Sequence, residues 1–366
     1  MVNEYRPQLL PPTFDVESKA ILKKLASTHR YLAELKGVSQ AIPNQGILIN
    51  TLSLQEAKDS SAVENIITTH DDLFKEELGE YLVSASAKEV RDYASALRRG
   101  FELVRTTGLL TTNHLISIYQ EVKKTDAGIR RLPGTELQND LTGETIYVPP
   151  QDYQTILSLL TNLEAYINDA SLSDADPLVK MAVMHYQLET IHPFTDGNGR
   201  TGRILNVLYL VMQGLLDIPV LYLSRYIIQY KTDYYRLLQQ VRTESAWEEW
   251  VLFMLTGVEQ TSRQTVLLIQ QMSRMMLDYK HRIRSEFPKL YSQDLLNNLF
   301  FHPYTKIEFL ENDLKISRQT AAKYLDALAH AGFLQKARMG KSNYYINMAL
   351  FQLLANVPTF EERRNL

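Results

Sequence analysis

His192-Pro193-Phe194-Thr195-Asp196-Gly197-Asn198-Gly199-Arg200-Thr201-Gly202-Arg203 sets a histidine, a carboxylate, two glycines around an asparagine, and two arginines three apart in one short loop. These are the side chains of a phosphate-handling site. Glycines let backbone N–H groups come close to an anion. The run Ile204-Leu205-Asn206-Val207-Leu208-Tyr209-Leu210 that follows reads as a buried helix. The loop is therefore expected at a helix N-terminus, where free amides and the helix dipole favour negative charge.

Working outward, helices dominate on both sides. Asp15 to Lys36 has helical spacing (Ile21, Leu22, Leu25, Leu32, Leu35). Ser53-Leu54-Gln55-Glu56 has the form of a capping box, predicting a helix start, with apolar residues then at Ala57, Ala62, Val63, Ile66 and Ile67. Lys88 to Val104 and Thr112 to Val122 read as further helices, as does most of Tyr153 to Phe287. Pro133 to Pro150 breaks the pattern: Thr142-Gly143 is a turn before the β-rich Thr145-Ile146-Tyr147-Val148, and Pro149-Pro150 stops the strand. Pro7, Pro11 and Pro12 predict an extended N-terminus.

Bulk properties narrow the function class. The chain has 366 residues, enough for two or three domains. A net charge of −3 gives no global attraction to nucleic acid or anionic membrane. With no cysteine there are no disulfides or thiolate metal sites, which fits a reducing cytosol. No signal peptide is evident in Met1 to Pro7, and the longest uncharged apolar run, Ile204 to Gln213, is about half a membrane span. A cytoplasmic protein without membrane contact is expected.

The stretch from Ile191 to Arg203 resembles the signature of Fic-domain proteins, His-Pro-Phe-x-Asp-Gly-Asn-Gly-Arg-x-Gly-Arg, at every position. The preceding helix, with Met181, His185, Glu189 and Ile191, is similar to the family as well. The resemblance covers roughly residues 110–255, and the region from Arg6 to Asn65 looks like the N-terminal helices of one bacterial subgroup. Ser60-Ser61-Ala62-Val63-Glu64-Asn65 fits the family's inhibitory motif, with Ser60 and Glu64 four apart on one helix face.

This resemblance implies a mainly α fold: a helical Fic core with a β-hairpin flap, an N-terminal helical region and a C-terminal unit. It implies a protein adenylyltransferase that moves AMP from ATP to a hydroxyl side chain of a target protein. His192 is the implied general base, since an imidazole with pKa near ~6.5 can accept a hydroxyl proton. Asp196 is expected to hold Mg²⁺ with the phosphates. Gly197, Asn198 and Gly199 would form the anion hole, with an added donor from the Asn198 side chain. Arg200, Thr201, Gly202 and Arg203 continue the ATP site, Arg203 facing the γ-phosphate or the inhibitory Glu64. Tyr234 is the candidate for the nucleoside pocket. Ser60, Glu64 and Asn65 form the inhibitory set. His185 reads as a satisfied core histidine. The flap, residues 133–150, would take an extended segment of the Ser/Thr/Tyr-bearing target by strand addition. Self-modification and a homodimer are compatible with this reading.

The C-terminal part reads differently. Thr305 to Leu310 predicts a short helix, Ser317 caps a second, and strands are expected over Phe333 to Ala337 and Asn343 to Ile346. This resembles a winged helix-turn-helix. Between Tyr291 and Asn347 seven basic residues stand against five acidic ones. Arg318, Lys323, Arg338 and Lys341 lie where such a domain would meet a DNA duplex. The alternative function is thus a nucleotide-sensing transcriptional regulator binding DNA, and protein docking or dimerisation is the other use of this unit. The expected division is 1–109 N-terminal helical, 110–255 catalytic, 256–288 linker helix and 289–366 C-terminal.

Overall fold

The protein is described here from a computed structural model over residues 5–14, 18–76, 84–138, 143–339 and 342–356. It is mainly helical, with two small antiparallel sheets. Four helices come first: α1 (Lys19–Ser39), α2 (Gln45–Val63), α3 (His70–Glu76) and α4 (Ala85–Thr107). Ser18 caps α1 by accepting from the Ile21 amide, Asn44 caps α2 from Gly46, and Ser84 caps α4 from Ala87. Asp15, where the first helix was expected to begin, lies outside the described residues.

The expected helix start at Ser53 to Glu56 is corrected. Asn44 starts that helix, and Ser53, Gln55 and Glu56 lie buried in the middle of α2. The local spacing of a capping box is real, but these residues are buried inside the helix, and Gln55 and Glu56 turn to tertiary partners. Glu56 accepts from the Tyr93 hydroxyl at 3.0 Å and from the Ser224 amide at 3.1 Å.

The centre follows: α5 (Thr112–Lys123), the strands β1 (Leu137–Gln138) and β2 (Thr145–Tyr147), then α6 (Tyr153–Asn168), α7 (Pro177–Ile191), α8 (Asn198–Met212), α9 (Ser224–Gln229), α10 (Lys231–Glu244) and α11 (Trp247–Glu286). Every residue of α7 from Leu178 to Ile191 is buried, as is α8 from Arg200 to Leu210. A helix apolar around most of its circumference belongs inside a helical layer, and these two are the centre of the core. The strands pair antiparallel as the flap hairpin, Leu137 opposite Tyr147. Gly143 holds a φ of 68° in its turn; Thr142 lies outside the described residues.

The C-terminal unit contains α12 (Gln293–Phe301), β3 (Tyr304–Lys306), α13 (Ile307–Leu314), α14 (Arg318–His330), β4 (Gln335–Met339), β5 (Ser342–Ile346) and α15 (Met348–Ala355). Ser317 caps α14 as expected. Thr305 and Lys306 are corrected from helix to strand: β3 pairs with β5, giving the strand order β3-β5-β4. Tyr304 and Thr305 are buried there, and α13 starts only at Ile307. α11 runs without a break through the expected boundary at 255. Among the described residues no helix is long and apolar enough to cross a membrane.

Candidate active site

The loop between α7 and α8 is built to be rigid. α7 ends at His192, whose left-handed φ of 50° turns the chain sharply. Phe194 is buried and stacks on Tyr119 with ring centroids 4.0 Å apart. Asn198 clamps the loop: its Oδ1 accepts from the Phe194 amide and its Nδ2 donates to the Phe194 carbonyl, both at 2.8 Å. The side-chain donor expected of Asn198 towards an anion is therefore used inside the loop. Arg130 braces the outside, donating from Nε to the His192 carbonyl at 2.8 Å and from its backbone to Pro193 at 2.9 Å. Gly197, at φ 76°, opens α8, and the Thr201 hydroxyl donates to its carbonyl at 2.9 Å. The first-turn amides of α8 have no acceptor within the helix, so they point at whatever occupies the mouth of the loop.

His192 lies on the wall of a cleft of about 1180 Å³ that also takes in Glu64, Asp196, Arg200, Arg203 and Tyr235. Its Nδ1 is 3.4 Å from the Glu189 carbonyl, an acceptor, which assigns the ring proton to Nδ1 and the lone pair to Nε2. Burial pushes its pKa down to about 4, with Arg130 and Arg242 helping and the Glu189 carbonyl and Asp196 opposing. The imidazole is neutral at pH 7, as a proton acceptor must be. Asp196 is 61% exposed in its side chain and bonds Lys123 Nζ at 2.6 Å. Burial alone would raise its pKa; the Lys123 ammonium, Arg200 and the Gly197 amide outweigh that and keep it ionised.

The two arginines are sunk behind the loop and meet one carboxylate. Glu64, just past the end of α2, puts Oε2 at 2.6 Å from Arg200 Nε and Oε1 at 2.9 Å from Arg203 Nη2. Arg200 also pairs with Glu89 at 2.7 Å. Arg203 donates from Nε to the Ser60 hydroxyl at 2.7 Å and from Nη2 to the Ser60 carbonyl at 3.0 Å. Gly199 makes the space: a Cβ there would stand 2.8 Å from both Glu64 Oε1 and Arg203 Nη1. Asn65 takes a left-handed φ of 63° and accepts from Lys231 at 2.9 Å. The predicted inhibitory residues and the predicted anion loop thus converge from opposite halves of the chain.

Tyr234 is 1% exposed, and its hydroxyl is 2.8 Å from His185 Nε2. It forms the inner wall of the cleft, while its neighbour Tyr235 is 46% exposed. His185 is enclosed and stacks on Trp250; burial, with Arg203 nearby, pushes its pKa down to about 3. Gly202 packs under Glu189, since a Cβ would lie 3.0 Å from Glu189 Oε1. Sequence reasoning missed Glu89, Lys123 and Arg130. Each reaches the loop from a distant helix or turn, and nothing local in the sequence marks it.

Among the described residues no group of three or more His, Cys, Asp or Glu side chains is arranged to hold a metal. Asp196 is a single hard oxygen donor. That fits Mg²⁺ taken together with phosphate oxygens and water.

Residues 109–210 match the Fic/DOC family, residues 22–102 its N-terminal region, and residues 275–350 the C-terminal domain described as protein adenylyltransferase SoFic-like. The chain belongs to the Fic/DOC family. Among similar Fic proteins, protein adenylyltransferase fic-1 of Caenorhabditis briggsae is 42% identical over 59 residues, 16% of this chain and 12% of the relative. Protein adenylyltransferase Fic of Aedes aegypti is 29% identical over 160 residues, 43% of this chain and 30% of the relative. The matches therefore span less than a third of these relatives' length. Over the whole fold, a Fic family protein from Desulfovibrio desulfuricans G20 superposes with a TM-score of 0.58 at 18% identity, covering 93% of this chain and 98% of that one. Residues 134–508 of Fic-1 from C. elegans give 0.53 at 19% identity, covering 68% and 73%. The last two likenesses concern the Fic fold alone.

In the C-terminal unit of this Fic protein, Arg318, Lys323 and Arg338 are exposed, while Lys341 lies outside the described residues. Lys336 is tied to Asp326 at 2.7 Å and Lys306 to Glu308 at 3.1 Å.

Proposed function

We propose that the chain is a protein adenylyltransferase that moves AMP from ATP to a Ser, Thr or Tyr hydroxyl of a target protein, and that Glu64 holds it in a blocked state. The observation that carries this reading is Glu64 bridging Arg200 and Arg203 behind an anion-binding helix start. The relatives named protein adenylyltransferase support the reaction class.

His192 Nε2 accepts the proton of the target hydroxyl as the oxygen bonds the α-phosphorus. The bond from that phosphorus to the oxygen bridging to the β-phosphate breaks, and pyrophosphate leaves. Charge that grows on the non-bridging oxygens meets the amides of Asn198 and Gly199 and the Arg200 guanidinium, while the Gly197 amide is held by Asp196 at 2.6 Å. Thr201 and Gly202 complete that turn: one ties the helix start, the other lets α7 approach. Arg203 pairs with the γ-phosphate. Asp196 would hold Mg²⁺, which when bound offsets phosphate charge. Tyr234 backs the nucleoside pocket. The flap, with Ile146 44% exposed, offers its edge to an extended target segment.

Glu64 occupies the arginine that the γ-phosphate needs. A carboxylate and guanidinium make a strong, directional pair, so ATP must bind with its α-phosphorus off line. Small misplacements of a reacting atom cost rate heavily. The test is incubation of the Glu64→Gly protein with α-labelled ATP and lysate. Label on protein, with a mass gain of one AMP and release of pyrophosphate, is expected. Label that stays off protein, while the chain binds a specific DNA duplex tightly, would favour the regulator instead.

A further inference from the structure

The segment that carries Glu64 is gripped on both sides by the C-terminal unit. Before Glu64, Asn50 of α2 donates from Nδ2 to the Phe301 carbonyl, at the end of α12, at 3.0 Å. After Glu64, Asp71 at the start of α3 accepts from the Tyr304 hydroxyl at 2.5 Å. Tyr304 is buried, packs edge-on against Phe351, and pairs through its backbone with Ile346 of β5. Between these two attachments the chain turns without regular structure over residues 66–69, and Ile67 is 69% exposed.

We infer that the C-terminal unit is the latch of the Glu64 block: through Asp71–Tyr304 it holds the α2–α3 junction, and with it Glu64, against Arg200 and Arg203. The inference rests on the proposed block. The middle of α2 is fixed elsewhere, by Glu56 on Ser224 of α9, so the helix as a whole does not leave. The part left to move is the junction just past its end, where Glu64 is 21% exposed and Asn65 is held from the other side by Lys231. Tyr304 is the lever because it holds the far side of that junction. Any partner that pulls on the β4–β5 hairpin reaches Tyr304 through the β5–β3 ladder. Packed elements of this kind switch between discrete arrangements and do not deform smoothly.

The test places Tyr304→Phe and Asn50→Ala in two backgrounds, wild type and Glu64→Gly, and measures transfer of labelled AMP at saturating Mg²⁺-ATP. A lost hydrogen bond should shift the blocked-to-open ratio about fivefold. A rise of that size is expected for Tyr304→Phe in the wild-type background, none for Asn50→Ala, whose contact lies on the other side of the Glu56 anchor, and none in Glu64→Gly. An equal rise in both backgrounds would mean general loosening and overturn the latch. So would no rise in wild type while Glu64→Gly is activated. Hydrogen exchange of the amides from Ser60 to Ile66 gives a second readout. It should quicken in Tyr304→Phe, and unchanged exchange overturns the latch whatever the activity. If Glu64→Gly is itself no faster than wild type, the block fails and the latch falls with it, whereas a failed latch leaves the activation by Glu64→Gly intact.

Discussion

Glu64 and Arg203, 139 residues apart in sequence, meet Oε1 to Nη2 at 2.9 Å. The guanidinium is 2% exposed and the carboxylate 21%, so the contact lies at the edge of the interior, where it can be exchanged for another anion. Both guanidiniums that share the carboxylate are buried, Arg200 at 1% and Arg203 at 2% exposed, so they need an anion in this place whether Glu64 or a phosphate supplies it. The consequence of the contact is occupancy of Arg203.

Glu64→Gly should therefore raise AMP transfer, self-modification included, by about tenfold or more, and any loss of thermal stability should be recovered when ATP phosphates pair the uncovered guanidiniums. Rates measured side by side with saturating Mg²⁺-ATP check this. Equal rates would return Glu64 to the status of an ordinary surface carboxylate.

Ser60→Ala should activate less. Its hydroxyl accepts from Arg203 Nε at 2.7 Å, and removing it leaves a buried donor short of a partner, a cost of about 1–3 kcal/mol. Glu64 still holds Arg203 in this variant. The expected result is a lowered melting temperature with a smaller gain in transfer than in Glu64→Gly; an equal or larger gain would argue against these roles.

His192→Ala, made in the activated Glu64→Gly protein, should lower transfer by about 10²–10⁴-fold while ATP affinity stays nearly unchanged. The base acts on the incoming hydroxyl and holds no phosphate. Near-normal transfer would remove His192 from the chemistry.

Asp196→Ala should weaken nucleotide binding in the presence of Mg²⁺ and have little effect in its absence. Calorimetry with and without the cation reads the difference. Identical affinities under both conditions would leave the Asp196 carboxylate with only its contacts to Lys123, Arg200 and the Gly197 amide.

The pH profile tests the buried imidazole. His192 is held down at about 4, so its neutral, proton-accepting form persists as pH falls and is lost only on passing through that value. Transfer by Glu64→Gly should stay level from about pH 8 to about pH 5 and drop below it. Half-loss near ~6.5, the ordinary histidine value, would show an imidazole open to solvent.

What the sequence made legible was what lies close together along the chain. His192 to Arg203 is one continuous stretch, and Ser60 with Glu64 is one helix face, so their chemistry could be read and their meeting anticipated through the family. Glu89, Lys123 and Arg130 were not legible, because each becomes part of the loop only through packing. Ser53 to Glu56 misled for the same reason: a start signal is defined by four neighbours, but Tyr93 and Ser224 decide where the Glu56 carboxylate goes. Thr305 likewise follows the pairing of β3 with β5 and not the helical spacing of its neighbours. Asn198 was rightly placed in the loop, yet its amide serves Phe194.

The 40-residue helix α11 was expected to divide at 255 into catalytic domain and linker. Its first turns hold Trp250, which donates to the Ala182 carbonyl of α7 at 2.9 Å. Beyond 255 comes Glu259, bound by Lys24 and Ser27 of α1 at 2.8 and 2.7 Å. Near its end Tyr279 donates to Phe333 and Asn347 of the C-terminal unit at 3.0 and 3.1 Å. One rod about 60 Å long thus serves as the common axle of the first helix, the catalytic layer and the last domain. A polypeptide shortened at 255 would leave α1 facing water along the side where α11 had lain, so the three regions are inherited as one mechanical piece and cannot be traded separately.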